Sequence, residues 1–171
     1  IGSRVLRRLS AFGTPRVLAN DLKRQDLVAP NLKIEWVDKE TIYREADLIT
    51  LHVPLTTNTI NLVSEKELDS MKPGARLVNT SRGGIVNERA LSQALRSGHL
   101  ASAAIDVFEE EPYLGGELSS IETCLLTCHM GSMSEDCRAR MEIEAVEEAI
   151  RFLSGQQLEQ PIPETEYDLQ C

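Results

Sequence analysis

The chain has 171 residues, of which 42% are hydrophobic and 26% charged, and 18 basic against 27 acidic residues give a formal net charge of -9. This is the balance of a folded domain rather than a disordered segment. The acidic excess argues against binding nucleic acid through its phosphates, and no apolar run approaches the roughly 18–20 residues of a membrane span.

The charge is uneven. Residues 1–33 hold seven basic and two acidic residues, beginning with Arg4, Arg7 and Arg8. A solvated helix face accounts for them better than a nucleic-acid patch. No signal-peptide pattern opens the chain, so a cytoplasmic location is expected. The cysteines Cys124, Cys128, Cys137 and Cys171 then read as reduced thiols. Cys124, Cys128, His129 and Cys137 lack the spacing of a zinc set, and no metal is expected.

The chain begins at Ile1-Gly2 and runs at once into a helical pattern. Val5, Leu6, Leu9 and Phe12 form an apolar stripe, and Gly13 can end it. A helix with no element before it suggests a trimmed N-terminus. Strands are predicted over 16–21, 34–37, 47–53, 75–80, 103–108 and 123–127. Their near-continuous apolar character predicts burial on both faces, as in a parallel sheet. Helices are predicted over 65–71, 88–97 and 135–153. Asn87 and Ser134 are candidate N-caps, and Gly98 and Gly155 are stops. Met141, Ala145, Val146, Ala149, Ile150, Phe152 and Leu153 give the last helix an apolar face. Residues 1–155 then form one domain and residues 156–171, with Pro161 and Pro163, an extended tail. Alternating strands and helices predict an α/β fold with a doubly wound parallel sheet.

Ligands of such sheets bind beyond the carboxyl ends of the strands. Four strand ends carry reactive groups. One ends in Asp21. One runs into Ser81-Arg82-Gly83-Gly84. One contains Asp106 and continues through Glu109-Glu110-Glu111-Pro112. One ends at His129-Met130-Gly131-Ser132. Asp21 lies 19 positions after Gly2, close to the spacing of the acid that binds the adenosine ribose in dinucleotide folds. A strand-terminal Asp also serves simply as a turn former. Arg82 offers a planar fork for a carboxylate or ketone oxygen, or is a surface arginine in a tight turn. His129 can exchange a proton near neutrality. Glu111 is the carboxylate that would support its charged form. Glu109 and Glu110 read as a solvated acidic loop.

Together these stretches resemble the nucleotide-binding domain of the D-isomer-specific 2-hydroxyacid dehydrogenases. The resemblance rests on Ile1-Gly2 with Asp21, LHVPLTTNTINLV at 51–63, MKPGARLVNTSRGGIVNERAL at 71–91, AAIDVFEEEP at 103–112 and LLTCHMGSMS at 125–134. It implies a Rossmann-type sheet without its first strand, and the absence of the family's separate substrate-binding domain. It implies NAD as cofactor and a small 2-hydroxy or 2-oxo acid as substrate. Arg82, Glu111 and His129 would be catalytic. Ile1, Gly2, Asp21, Val53, Pro54, Thr80, Asp106 and Gly131 would bind the cofactor, together with Arg82 and His129. Cys128 stands where the family usually has proline. Asp21 favours NAD over NADP, although Lys23 and Arg24 follow closely. The resemblance also implies a homodimer, and little or no turnover by this chain alone. The same family includes corepressors that sense the dinucleotide without turning it over. Glutamine in place of Glu111 would mark a formate dehydrogenase. A methyltransferase-like domain would explain Gly2 and Asp21 but not Arg82, Glu111 and His129 together.

Overall fold

The structure is a computed structural model, and it describes residues 1–13, 16–22, 32–159 and 161. Lys23, Arg24, Pro163, Cys171 and most of the expected tail lie outside the described residues. The chain divides into two compact units, 1–128 and 129–171.

In the first unit, α1 (Gly2–Leu9) runs into a short 3-10 turn over Ser10–Phe12 and stops at Gly13, whose φ of 123° suits glycine. Val5 and Leu6 are half-buried, while Phe12 is exposed. There follow β1 (Val17–Ala19), β2 (Ile34–Trp36), α2 (Lys39–Glu45), β3 (Leu48–Leu51), α3 (Glu65–Ser70), β4 (Arg76–Asn79), α4 (Glu88–Arg96), β5 (Ser102–Ile105) and β6 (Cys124–Leu126). The helix α2 was not expected, because seven residues are too few to show a clear period of 3.6. Asp38 starts it by accepting a hydrogen bond from the Thr41 amide at 2.7 Å. α3 has a full capping box: the Glu67 carboxylate accepts from the Ser64 amide at 3.1 Å. Asn87 caps α4, as its position predicts, through the Ala90 amide at 2.9 Å.

All strand pairs are parallel. β1 pairs with β2, and β3, β4, β5 and β6 form a second sheet in that order. A doubly wound dinucleotide sheet numbered from its own first strand has the order 3-2-1-4-5-6. The β2-β1 pair matches the 3-2 step, and the four-stranded sheet takes up the order from 4. No described strand stands between β1 and β3. The fold is α/β and Rossmann-like.

One face of the larger sheet is sealed. Ile49, Leu51, Leu77, Ala103 and Ile105 pack with Tyr43 of α2, Leu68 of α3 and Leu91, Ala94 and Leu95 of α4. The described residues leave the opposite face open: Leu48 is 54% exposed and Leu125 65%. The expectation of burial on both faces therefore holds for one face only. The helices α2, α3 and α4 all contribute to the same core, so Leu48, Arg76 and Ser102, which share a register row, face away from it.

The second unit holds a 3-10 turn over Met130–Ser132 and the long helix α5 (Glu135–Leu153). Ser134 caps α5 through the Cys137 amide at 3.3 Å, and Gly155 closes it at φ 68°. Met141, Val146, Ile150, Phe152 and Leu153, the expected apolar face, are all exposed.

Candidate functional site

Parallel strands deliver their carboxyl ends to one edge of a sheet. β3 gives His52, Val53 and Pro54 there. β4 gives Thr80, Ser81 and Arg82, β5 gives Asp106, and β6 gives Thr127. β1 delivers Asn20 and Asp21 to the same end of the smaller sheet.

The Arg82 turn is built on a buried amide. Asn79, the last residue of β4, is only 2% exposed. Its Oδ1 accepts from the Ser81 amide at 3.1 Å and from Ser81 Oγ at 2.7 Å. Its Nδ2 donates to the Arg82 carbonyl at 3.0 Å. The side chain thus fixes the backbone on both sides of the turn. Arg82 itself is exposed, and its guanidinium donates to the Ser81 carbonyl at 2.7 Å.

Next comes Gly83, where a Cβ would lie 1.7 Å from the Phe108 carbonyl oxygen. Only glycine fits, so the backbone after Arg82 lies directly against the backbone leading to Glu111. In that second loop the Phe108 amide donates to Glu111 Oε1 at 3.0 Å, and the Glu111-Pro112 peptide bond is cis. The Phe108 ring stacks on Tyr113 with centroids 4.2 Å apart, which seats the loop on the core. Arg82 and Glu111 therefore sit on two loops in backbone contact.

Glu109 does more than the solvated loop residue expected from sequence. Its carboxylate accepts from the Glu88 amide at 3.0 Å, and its own amide donates to the Glu88 carboxylate at 2.6 Å. Burial raises the Glu88 pKa above the ordinary carboxylate value. The amide of Glu109 opposes that shift, and the charges of Glu109 and Glu110 add to it. Sequence offered no signal for this pair, because the partners lie 21 positions apart on different elements.

Asp106 is buried at the end of β5 and accepts from Thr127 Oγ1 at 2.6 Å. This bond ties the end of β6 to β5, two residues before His129. Thr80 is exposed beside the Arg82 turn.

The Ile1 carbonyl accepts from the Arg4 and Val5 amides and so opens α1. Gly2 lies against His52, with a Cβ at that position 3.3 Å from His52 Cδ2. His52 Nε2 bonds Thr50 Oγ1 at 3.0 Å, and burial holds its pKa below the usual imidazole value. His52 was not singled out from sequence. Val53 is half-buried and Pro54 exposed, and the Pro54 carbonyl accepts from Thr59 Oγ1 at 2.7 Å. Asn20 ties β1 to β2 by donating to the Val37 carbonyl at 2.7 Å, and the exposed Asp21 follows it.

His129 opens the second unit. It takes the left-handed backbone conformation, φ 52° and ψ 57°, and is exposed. That region is uncommon for a residue with a Cβ, though His tolerates it better than most. Gly131 follows in the 3-10 turn and is exposed.

Residues 1–131 match the family model described as D-isomer specific 2-hydroxyacid dehydrogenase, NAD binding domain. The chain belongs to that family. It is 40% identical over 156 residues to a glyoxylate reductase of Thermococcus litoralis, a match covering 91% of this chain and 47% of the relative. A glyoxylate/hydroxypyruvate reductase of Sinorhizobium meliloti, solved with NADP and malonate, matches with a TM-score of 0.87 at 29% identity, over 96% of this chain and 50% of that one. A D-lactate dehydrogenase of Lactobacillus jensenii, solved with NAD+, matches with a TM-score of 0.81 at 28% identity, over 95% and 52%. The chain spans about half the length of the relatives it matches.

The residues present suit the dinucleotide of this domain family. The helix α1 directs its amino-terminal amides, which favour phosphate, from a start made of Ile1 and the side-chain-free Gly2. An exposed carboxylate, Asp21, stands two residues beyond the end of β1, where such folds bind the ribose hydroxyls.

Proposed function

We propose that the intact protein is an NAD-dependent oxidoreductase interconverting a small 2-oxo acid and the D-2-hydroxy acid. The observation that supports this most is the interlocked pair of loops that carries Arg82 and Glu111 at the carboxyl edge of the sheet. Arg82 would hold the substrate carboxylate and 2-oxygen, offsetting their negative charge. His129 would give its proton to the 2-oxygen in reduction and take it back in oxidation. Glu111 would orient His129 and favour its charged form.

The dinucleotide, when bound, supplies or accepts the hydride. Gly2, with the Ile1 backbone, would receive the pyrophosphate at the start of α1. Asp21 would bind the adenosine ribose, and its charge disfavours the extra phosphate of NADP. Val53, Pro54 and Thr80 would line the cofactor, Asp106 would support its nicotinamide end, and Gly131 would let the His129 turn approach it. The relatives' activities, glyoxylate reductase among them, favour glyoxylate or hydroxypyruvate as substrate. They also favour turnover over the dinucleotide-sensing role. We place the protein in the cytoplasm as a homodimer.

The test is NADH oxidation by the intact protein with glyoxylate, hydroxypyruvate, pyruvate and phosphohydroxypyruvate. One acid is expected to turn over, and His129→Ala to lose at least about 100-fold. Cofactor binding without turnover, or an unimpaired His129→Ala variant, would refute the catalytic assignment and favour sensing. A preference for NADPH would overturn the role given to Asp21.

A further inference from the structure

From the crossed hydrogen bonds between Glu88 and Glu109 we infer that these two residues form a latch that positions Arg82 against Glu111. The inference rests on the function proposed above and names two residues that would act without touching substrate.

The geometry is reciprocal. Glu88 is the first residue of α4, and its amide is one of the unpaired donors of a helix start. Asn87 already serves the Ala90 amide, so the Glu88 amide is taken by a carboxylate from another loop, that of Glu109. The Glu88 carboxylate returns the bond to the Glu109 amide. This is a capping box closed across two loops rather than within one helix. A cap alone would need only the Glu109 carboxylate. The second bond holds the Glu109 backbone, and it does so with a half-buried carboxylate beside two like charges.

The consequence follows from what lies on either side. Six residues before Glu88 is Arg82, and the intervening Gly83 presses on the Phe108 carbonyl. Two residues after Glu109 is Glu111, which accepts from the Phe108 amide. The Phe108–Glu111 segment is therefore clamped at three successive points: the Phe108 carbonyl by Gly83, the Phe108 amide by Glu111 and the Glu109 amide by Glu88. Releasing the latch lets the two loops separate, and with them the groups proposed to hold the substrate and to orient the base. A displacement of about 1 Å at such groups costs up to about 100-fold in rate.

The experiment compares Glu88→Ala, Glu109→Ala, Glu88→Gln and Glu109→Gln in the intact protein. Glutamine keeps an oxygen that accepts the same amide hydrogen bond. Each alanine variant is expected to lower kcat about 10-fold and raise KM for the 2-oxo acid several-fold, with NADH affinity within about two-fold of wild type. Each glutamine variant is expected to recover most of both. Alanine variants with a lower Tm but wild-type kcat and KM would overturn the inference and leave a helix cap. Glutamine variants as impaired as alanine would overturn it too.

Amide hydrogen exchange separates this from failure of the proposed reaction. Either alanine variant should lose protection in both the Arg82–Gly84 and the Phe108–Glu111 segments. Loss confined to the mutated loop refutes the latch whether or not the wild type turns over.

Discussion

Asn79→Asp changes one atom in the buried turn beneath Arg82 and tests what holds that arginine. Oδ1 keeps its two bonds from Ser81, at 3.1 Å from the amide and 2.7 Å from the hydroxyl. The other oxygen replaces a donor that sits 3.0 Å from the Arg82 carbonyl, so two acceptors now face each other. At 2% exposure the new carboxylate has almost no water to solvate it. An uncompensated buried charge of this kind costs about 3–5 kcal/mol. Asn79→Ala instead leaves Ser81 and the Arg82 carbonyl short of partners, at about 1–3 kcal/mol for each orphaned group that water does not reach. Both costs are readable by urea unfolding. With about 2–4 °C per kcal/mol for a chain this long, the Asp variant should melt about 10 °C below wild type.

The pH dependence gives the sharper signature. The introduced carboxyl has a folded pKa above its unfolded value. Its deficit is therefore smallest below about pH 4 and grows as pH rises through that value. Protonated, it can donate to the Arg82 carbonyl as Asn79 does. An Asp variant within about 1 kcal/mol of wild type at pH 7, or a deficit that does not shrink on acidification, would show that Asn79 does not hold the Arg82 turn through the bonds described.

Other outcomes follow from the same geometry. Gly83→Ala must push the Phe108 backbone away from a contact of 1.7 Å, and should destabilise by at least about 1–3 kcal/mol and cut turnover; a wild-type melting curve would refute the interlock of the two loops. Burial raises the Glu88 pKa, so its ionised form is the less favoured one in the folded state. The stability of wild type relative to Glu88→Gln should therefore fall as pH rises through and above the ordinary carboxylate range; a difference that grows in favour of wild type over that span would contradict it. Burial pushes the Cys124 thiol up to about 11, whereas Cys128 is exposed. A thiol reagent at pH 8 should label Cys128 well before Cys124, and equal rates would contradict that burial.

Much of this was legible where one local rule suffices. The cap at Asn87, the cap at Ser134 and the stops at Gly13, Gly98 and Gly155 each follow from a single residue type beside a periodic run. The β4 turn declares itself by Ser81-Arg82-Gly83-Gly84, and β5 by the acidic loop after it. What stayed hidden is which partners a polar side chain takes, whether near in sequence or far. Glu109, like Glu110, looks like a solvated acid until Glu88 is placed against it. Asn79 looks like an ordinary strand residue, since nothing in the string LVNTS tells which bonds its amide makes. The apolar character of Leu48 and Leu125 suggested burial on both faces, but apolar residues are common on surfaces and do not by themselves mark a covered face.

The placement of glycine explains why the two proposed substrate-handling loops can be rigid without substrate. A loop that carries an exposed arginine ordinarily loses that side chain to solvent, since little packs around it. Here the backbone on each side of Arg82 is tied before the side chain begins: Asn79 and Ser81 on one side, Gly83 against Phe108 on the other. Contact at the backbone needs no side chain between the loops, and that is what leaves Arg82 exposed to meet a ligand while its Cα stays fixed. The second loop uses a backbone group as well, since the Phe108 amide donates to Glu111 Oε1 at 3.0 Å. Preorganisation of this kind lowers the cost of ordering these groups when an anion arrives. It therefore predicts that Gly83→Ala, which leaves every proposed substrate-contacting group in the sequence, impairs the reaction more than a truncation of exposed Glu110, as a side-by-side measurement of kcat/KM for the two variants would show.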